Sequence, residues 1–297
     1  MKSFILYISL LLSVLHAEQI SDATRSKINI VDIKNDTSKE NVQKWLNNSF
    51  GLRPYKANYL LPFGIANKKY INHKLNIVEY EQYEAEIQVS LQLEVFEDIF
   101  GLGEKYSLAY TQEAFWQIYV ASSPFRENLY NPEGFVVFPI NDQKSIFQIR
   151  SLKLAIAHKS NGQPNTEDVL EFNGFNLSKS INYFYTTLRL QHNTLITDLT
   201  LLAPFPGSGN LSDNPDLMNY LGYTEAKFTY FYHKHMFSIM ARGNLATMKG
   251  ATEATYSYPL RKDKSYLYIK FFSGYVESLI DYNKNISKLS IGFSFSR

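Results

Sequence analysis

From Asn58 onward the chain divides into segments whose character alternates with a period of two, and that period restricts the fold more than anything else in the sequence. Twelve such segments can be counted, at about 58–70, 83–96, 105–119, 131–140, 146–160, 180–191, 194–204, 222–233, 235–243, 252–261, 265–275 and 287–296. In the second, Glu86, Gln88, Ser90 and Gln92 oppose Ile87, Val89, Leu91 and Leu93. In the eleventh, Tyr266, Tyr268 and Lys270 oppose Leu267, Ile269 and Phe271. Successive side chains of a strand point to opposite faces, so each segment offers one polar and one apolar face. Turn-rich clusters such as GSGNLSDNPD (207–216) separate them. The count is even, and beyond the N-terminus no run approaches the ~18 apolar residues of a membrane-spanning helix.

Two all-β folds share this pattern, a soluble sandwich and a transmembrane barrel. Composition favours the barrel. With 22 Tyr and 21 Phe, a soluble protein would expose many strand-end aromatics, whereas a barrel places them in girdles at the two membrane interfaces. The N-terminus agrees: Met1 and Lys2 precede an apolar stretch from Phe4 to Leu15 and then Ala17, the layout of a signal peptide over residues 1–17. Residues 18–55 are polar and mixed and read as an N-terminal periplasmic arm with a short helix around Asn41 to Leu46. The expected fold is a twelve-stranded antiparallel transmembrane β-barrel over 56–297. A net charge of +2 supplies no basic field for nucleic acid, and the absence of cysteine removes thiol nucleophiles and thiolate metal sites.

One strand carries chemistry at its end. In Leu152-Lys153-Leu154-Ala155-Ile156-Ala157-His158-Lys159-Ser160, the residues Leu152, Leu154 and Ile156 share a lipid-type face with His158 and Ser160. A His and a Ser two apart on a strand lie roughly 6.5–7 Å apart along it, near enough for their side chains to lean together as base and nucleophile. In the next strand Asn182 precedes Phe184, Thr186, Leu188 and Leu190 on the same kind of face, and antiparallel pairing brings it towards His158. An amide oxygen accepting from one imidazole nitrogen leaves the other free to take the Ser hydroxyl proton. Spacing alone favours the plainer alternative of an interfacial histidine, a serine that opens a turn and an asparagine that opens a strand.

The run His158-Lys159-Ser160-Asn161-Gly162 resembles the H-x-S-N-G signature of the outer-membrane phospholipase A family, a family of twelve-stranded lipid-hydrolysing barrels. Further blocks resemble that family in the same order: Leu102-Gly103-Glu104, Ala109-Tyr110-Thr111-Gln112 with Trp116-Gln117, and Ser122-Ser123-Pro124-Phe125-Arg126-Glu127. Asp213-Asn214-Pro215-Asp216, Tyr220-Leu221-Gly222-Tyr223 and the stretch from Ser273 to Asn283 extend the resemblance along most of the chain.

The resemblance implies Ser160 as nucleophile, His158 as general base, Asn182 as the residue orienting it, and the Gly162 backbone N–H as oxyanion donor. It also implies a calcium ion held by Ser122, the carbonyl of Gln163, and Ser178. Counted from His158 rather than from Asn182, Asp168 takes the place of Ser178. A homodimer meeting through the barrel wall is implied as the active state, with Gln112 as a polar interface residue whose alternative is a lumen-facing position. The expected activity is calcium-dependent hydrolysis of acyl ester bonds of phospholipids and lysophospholipids in the bacterial outer membrane. The competing expectation is a non-catalytic barrel, a passive channel or structural protein; a soluble secreted esterase is a more distant one.

Overall fold

The computed structural model describes residues 34–46, 51–73, 78–140, 147–164, 176–207, 209–261 and 264–297. The signal-peptide segment 1–17, much of the arm and Asp168 lie outside the described residues. The chain divides into two units, Met1–Leu52 and Arg53–Arg297. In the first, helix α1 spans Asp36–Leu46. It begins earlier than the expected Asn41, because the Asn35 side chain accepts the Ser38 N–H at 2.9 Å and caps the first turn.

The second unit is an antiparallel sheet that closes on itself. A short strand β1 (Leu52–Pro54) stands beside β3 in the sheet order. The wall is made by β2 (Tyr59–Ala66), β3 (Tyr83–Glu97), β4 (Lys105–Trp116), β5 (Phe125–Pro139), β6 (Gln148–Ser160) and β7 (Ser180–His192). It continues through β8 (Leu195–Pro204), β9 (Thr224–Tyr232), β10 (His235–Asn244), β11 (Lys249–Arg261), β12 (Ser265–Gly274) and β13 (Ile286–Ser294), with a short helix α2 (Leu217–Leu221) between β8 and β9. Strand β13 pairs with β2, and β3 with β4, which completes the ring. All twelve expected strands are present.

Burial runs opposite to that of a soluble protein. Val89, Leu108, Ile156, Phe184, Phe228, Ile239, Phe271 and Ile291 are exposed on the outer face, while Glu84, Glu86, Arg126, Lys270 and Lys288 are buried inside. A soluble sandwich would have to leave that apolar face in water; a bilayer covers it. Inside, the Arg126 guanidinium grips Glu84 through Nε to Oε2 and Nη2 to Oε1, both at 3.0 Å, and also donates to Glu277 at 3.2 Å. Lys288 Nζ sits 2.9 Å from Glu84 and 3.1 Å from Glu86, and Lys270 donates to Glu86. Charges taken out of water are tolerated only when paired in this way. These paired charged side chains all lie in the barrel interior.

The largest displacement from the expected strands is at β5, which starts at Phe125 rather than at 131. The pairing with β4 shifts register between Phe115/Glu127 and Trp116/Phe125, leaving Arg126 as an extra residue. That bulge turns both Arg126 and Glu127 inward. Consecutive charged residues read as loop in a sequence, yet here both sit in a polar interior.

A candidate active site on the lipid-facing rim

On β6 the exposed Leu154 and Ile156 establish the outward parity that His158 and Ser160 continue. Across the ladder His158 stands opposite Asn182, and Ser160 opposite Ser180. Asn182 spends its backbone groups on the far side: its N–H donates to Asn210 Oδ1 at 2.9 Å and its carbonyl accepts the Phe205 N–H at 2.9 Å. The His158/Asn182 pair is therefore of the non-hydrogen-bonded kind, in which facing side chains come closest. His158 Nδ1 lies 2.8 Å from Asn182 Oδ1. An amide oxygen can only accept, so Nδ1 is the donor of this contact, which in the neutral ring leaves the lone pair on Nε2.

The other edge of His158 meets an irregularity in β5. Between the pairs Tyr130/Ser160 and Glu133/Ala157, Pro132 falls opposite His158 and has no N–H to give. The Asn131 side chain supplies the missing donor, its Nδ2 reaching the His158 carbonyl at 2.9 Å. His158 is thus held through its carbonyl from the β5 side and through its imidazole from the β7 side.

Beyond Ser160 the chain turns at Gly162, where φ is +63°. Asn161 fixes that turn from beneath. Buried to 1% exposure, it donates from Nδ2 to Glu127 Oε1 at 3.0 Å and to the Leu177 carbonyl at 2.8 Å, while its Oδ1 accepts Lys179 N–H at 3.1 Å and Gln163 N–H at 3.3 Å. Glu127 in turn accepts the Leu279 and Ile280 N–H groups, at 2.8 and 2.7 Å. Gln163 and Ser178 are brought to the same corner by this one amide. Beside them, burial pushes the Lys179 ammonium below its ordinary pKa, with Asp213 and Glu127 opposing that shift.

Of the residues expected to hold a metal, Ser178 donates from Oγ to Asp213 Oδ2 at 2.8 Å, and Asn176 Nδ2 donates to the other Asp213 oxygen at 2.8 Å. Ser122 is exposed, in the turn from β4 to β5, at the same end of the barrel as Ser160. Among the described residues no hydrogen bond joins it to Gln163 or Ser178, and no three His, Cys, Asp or Glu side chains gather as a metal cage. Gln112 faces outward, since it pairs with the exposed Val89 on one side and with Tyr130, the neighbour of Ser160, on the other. The expected residues His158, Ser160, Asn182, Gly162, Gln163 and Ser178 therefore meet at one corner, and Ser122 stands on the same rim apart from them. Asn131, Asn161, Asn210 and Glu127 had no signal of their own in the sequence; Asn161 and Glu127 lay inside recognised blocks without a role.

A family model described as phospholipase A1 matches residues 34–295. The chain is 31% identical over 249 residues to the phospholipases A1 of Salmonella typhimurium and of Escherichia coli K12, covering 82% of this chain and 81% of each relative. The solved outer membrane phospholipase A of Escherichia coli superimposes with a TM-score of 0.73 at 28% identity, covering 84% of this chain and 93% of that one. The outer membrane phospholipase of Salmonella typhi, solved as a dimer with bound calcium, matches equally, at 0.73 and 28% over the same shares. A lipid-facing barrel of this topology, matched along nearly its whole described length, belongs to the phospholipase A1 family and is an outer-membrane enzyme that hydrolyses phospholipids.

Proposed function

We propose that Ser160, His158 and Asn182 form a catalytic triad on the outer face of the barrel and hydrolyse the acyl esters of phospholipids and lysophospholipids. The observation that carries this reading is the 2.8 Å contact between His158 Nδ1 and Asn182 Oδ1, with Ser160 two residues along the same outward face. His158 Nε2 takes the Ser160 hydroxyl proton as Oγ attacks the ester carbonyl. The tetrahedral oxyanion accepts a hydrogen bond from the Gly162 N–H. On collapse, His158 returns the proton to the departing glycerol oxygen, leaving an acyl-Ser160 ester. Water, deprotonated by the same nitrogen, then releases the fatty acid and restores the serine. Asn182 stabilises the imidazolium without adding a second charge beside lipid.

The surroundings suit calcium. Hydroxyl, carbonyl and carboxylate oxygens are the hard ligands it takes, and Ser178, Gln163 and Asp213 supply all three kinds at the corner next to Gly162. When bound there, the cation would supply positive charge to the developing oxyanion. Ser178 and the Gln163 carbonyl would hold it in one protomer. Ser122, standing apart on the rim, would serve from a second copy, so the active form is read as a homodimer. An outward Gln112 supports this: its Oε1 accepts from the Tyr110 hydroxyl at 3.4 Å, and its amide N–H groups facing hydrocarbon are costly unless they too find a partner, as across an interface. Residues 1–17 are read as the export signal, 18–55 as the periplasmic arm and 56–297 as the barrel.

The direct test is hydrolysis of a detergent-dispersed phospholipid by the wild type and Ser160→Ala, each with and without a calcium chelator. Loss of turnover in the variant and in chelator supports the reading; a fully active, folded Ser160→Ala overturns it.

A further inference from the structure

Strand β7 outruns its neighbour β8. Their pairing begins only at Tyr183 opposite Pro204, so apart from the Phe205 N–H that reaches the Asn182 carbonyl, the β7 edge at Ser180 and Asn182 has no backbone partner from β8. Two asparagine side chains from the β8–β9 loop fill that edge. Asn214 Oδ1 accepts the Ser180 N–H at 3.0 Å and its Nδ2 donates to the Ser180 carbonyl at 3.1 Å. Asn210 does the same to Asn182, accepting its N–H at 2.9 Å and donating to its carbonyl at 2.9 Å. A carboxamide has the donor and acceptor of a peptide unit, so each asparagine imitates one residue of a missing strand.

Asn210 does more than Asn214. Its Nδ2 also donates to the Phe205 carbonyl at 3.0 Å, and two carbonyls on that nitrogen leave only one way round for its amide. Its Oδ1 is consequently the atom turned to Asn182, where it accepts from the side-chain Nδ2 at 3.4 Å as well as from the backbone. With its Nδ2 drawn there, Asn182 presents Oδ1 to His158 Nδ1. A flipped Asn182 would set oxygen against the Asn210 oxygen and offer an N–H to His158 Nδ1, favouring the tautomer that protonates Nε2. From Asn210 and the paired Asn182 amide we infer that Asn210 is a positioning residue for the hydrolysis, acting by fixing which end of the Asn182 amide faces His158 and hence which imidazole nitrogen is free for Ser160. This rests on the triad proposed above. It makes the β8–β9 loop a positioning element for the triad, although among its described residues none is hydrogen-bonded to Ser160.

The test compares kcat and KM for Asn210→Ala, Asn210→Asp, Asn182→Ala and the double variant Asn182→Ala/Asn210→Ala on one phospholipid in detergent, with Ser160→Ala as reference and gel heat-modifiability confirming the folded barrel. Asn210→Ala is expected to lower kcat about 10- to 100-fold, by analogy with the loss found when a partner that orients a metal ligand is removed, with KM nearly unchanged. Asn210→Asp keeps the acceptor for Asn182 and should retain more kcat than the alanine. In the Asn182→Ala background, removal of Asn210 should cost at most about twofold more, since the two act as one unit. Full kcat in a folded Asn210→Ala, or an equal loss with and without Asn182, overturns the inference while an inactive Ser160→Ala leaves the triad standing. Should Asn210→Ala fail to assemble, Asn210→Leu, which keeps the bulk and removes the acceptor, decides by the same criterion with and without Asn182→Ala.

Discussion

A Cβ added to Gly162 would lie 2.8 Å from Cε2 of the Tyr130 ring, and Tyr130 is the cross-strand partner of Ser160. Two constraints coincide at this glycine: a φ of +63°, which side chains resist, and a ring closing the space where a side chain would go. The turn that follows Ser160 has little freedom to be built otherwise.

Gly162→Ala is accordingly expected to displace its own N–H from the place where the oxyanion forms. The expected loss is roughly 10²- to 10³-fold in kcat, the cost of removing one oxyanion donor. The barrel should remain heat-modifiable on a gel, because the turn lies outside the ladder. Near-normal kcat would remove this N–H from the reaction.

Among the triad positions, Ser160→Ala should abolish turnover, and His158→Ala should come close to it. Asn182→Ala should be milder, since the amide orients the base and transfers no proton. Steady-state rates for the three folded variants check the order; complete loss in Asn182→Ala equal to that in Ser160→Ala would give the amide a more direct part.

Asn161 has no contact with a reacting atom in this scheme, yet it ties Gln163, Leu177, Lys179 and Glu127 together. Asn161→Ala leaves the Glu127 carboxylate short of a donor in a buried place, a penalty of about 1–3 kcal/mol. The expected outcome is a lowered thermal midpoint together with reduced activity. Loss of activity with unaltered stability would point instead to a chemical part for Asn161.

How much of this was readable beforehand follows from what each position reports. The strands were legible because lipid on one face and a polar lumen on the other impose period two on residues such as Glu86 to Leu93. The start of β5 was not, since Arg126 and Glu127 are adjacent charges and only the register shift beside them turns both inward. At the site, His158 and Ser160 were legible from parity and Asn182 from antiparallel order. Asn210 and Asn161 were not, because they act through amide contacts to chain segments 28 and 16–18 residues away, a separation that no local spacing encodes.

If the calcium site is completed only across two copies, activity per protomer should rise with protein concentration in detergent and fall on dilution. By linkage, a chelator should also weaken the dimer measured by sedimentation or cross-linking. Replacing the outward Gln112 by Leu removes the amide that would pair across the interface and should shift the dilution curve to higher concentration. Activity per protomer that stays constant on dilution would make the single barrel the enzyme.

The metal assignment can be tested where two residues compete for one place. Ser178 is bonded to Asp213, whose second oxygen is held by Asn176, so a carboxylate already stands behind the serine and a cation at Ser178 would feel its charge. Asp213→Asn and Ser178→Ala should each raise the calcium concentration for half-maximal activity about tenfold, equivalent to about 1.4 kcal/mol. Asp168→Asn should leave it nearly unchanged, as for an acidic side chain in the polar sequence NTED. Ser122→Ala should weaken calcium dependence as well, and only if a second protomer brings it to the site; mixing Ser122→Ala with Ser178→Ala protomers would then restore part of the wild-type response by forming one intact composite site. A tenfold shift from Asp168→Asn with none from Ser178→Ala would move the ligand to Asp168 and leave the Ser178 contact with Asp213 a purely structural clasp.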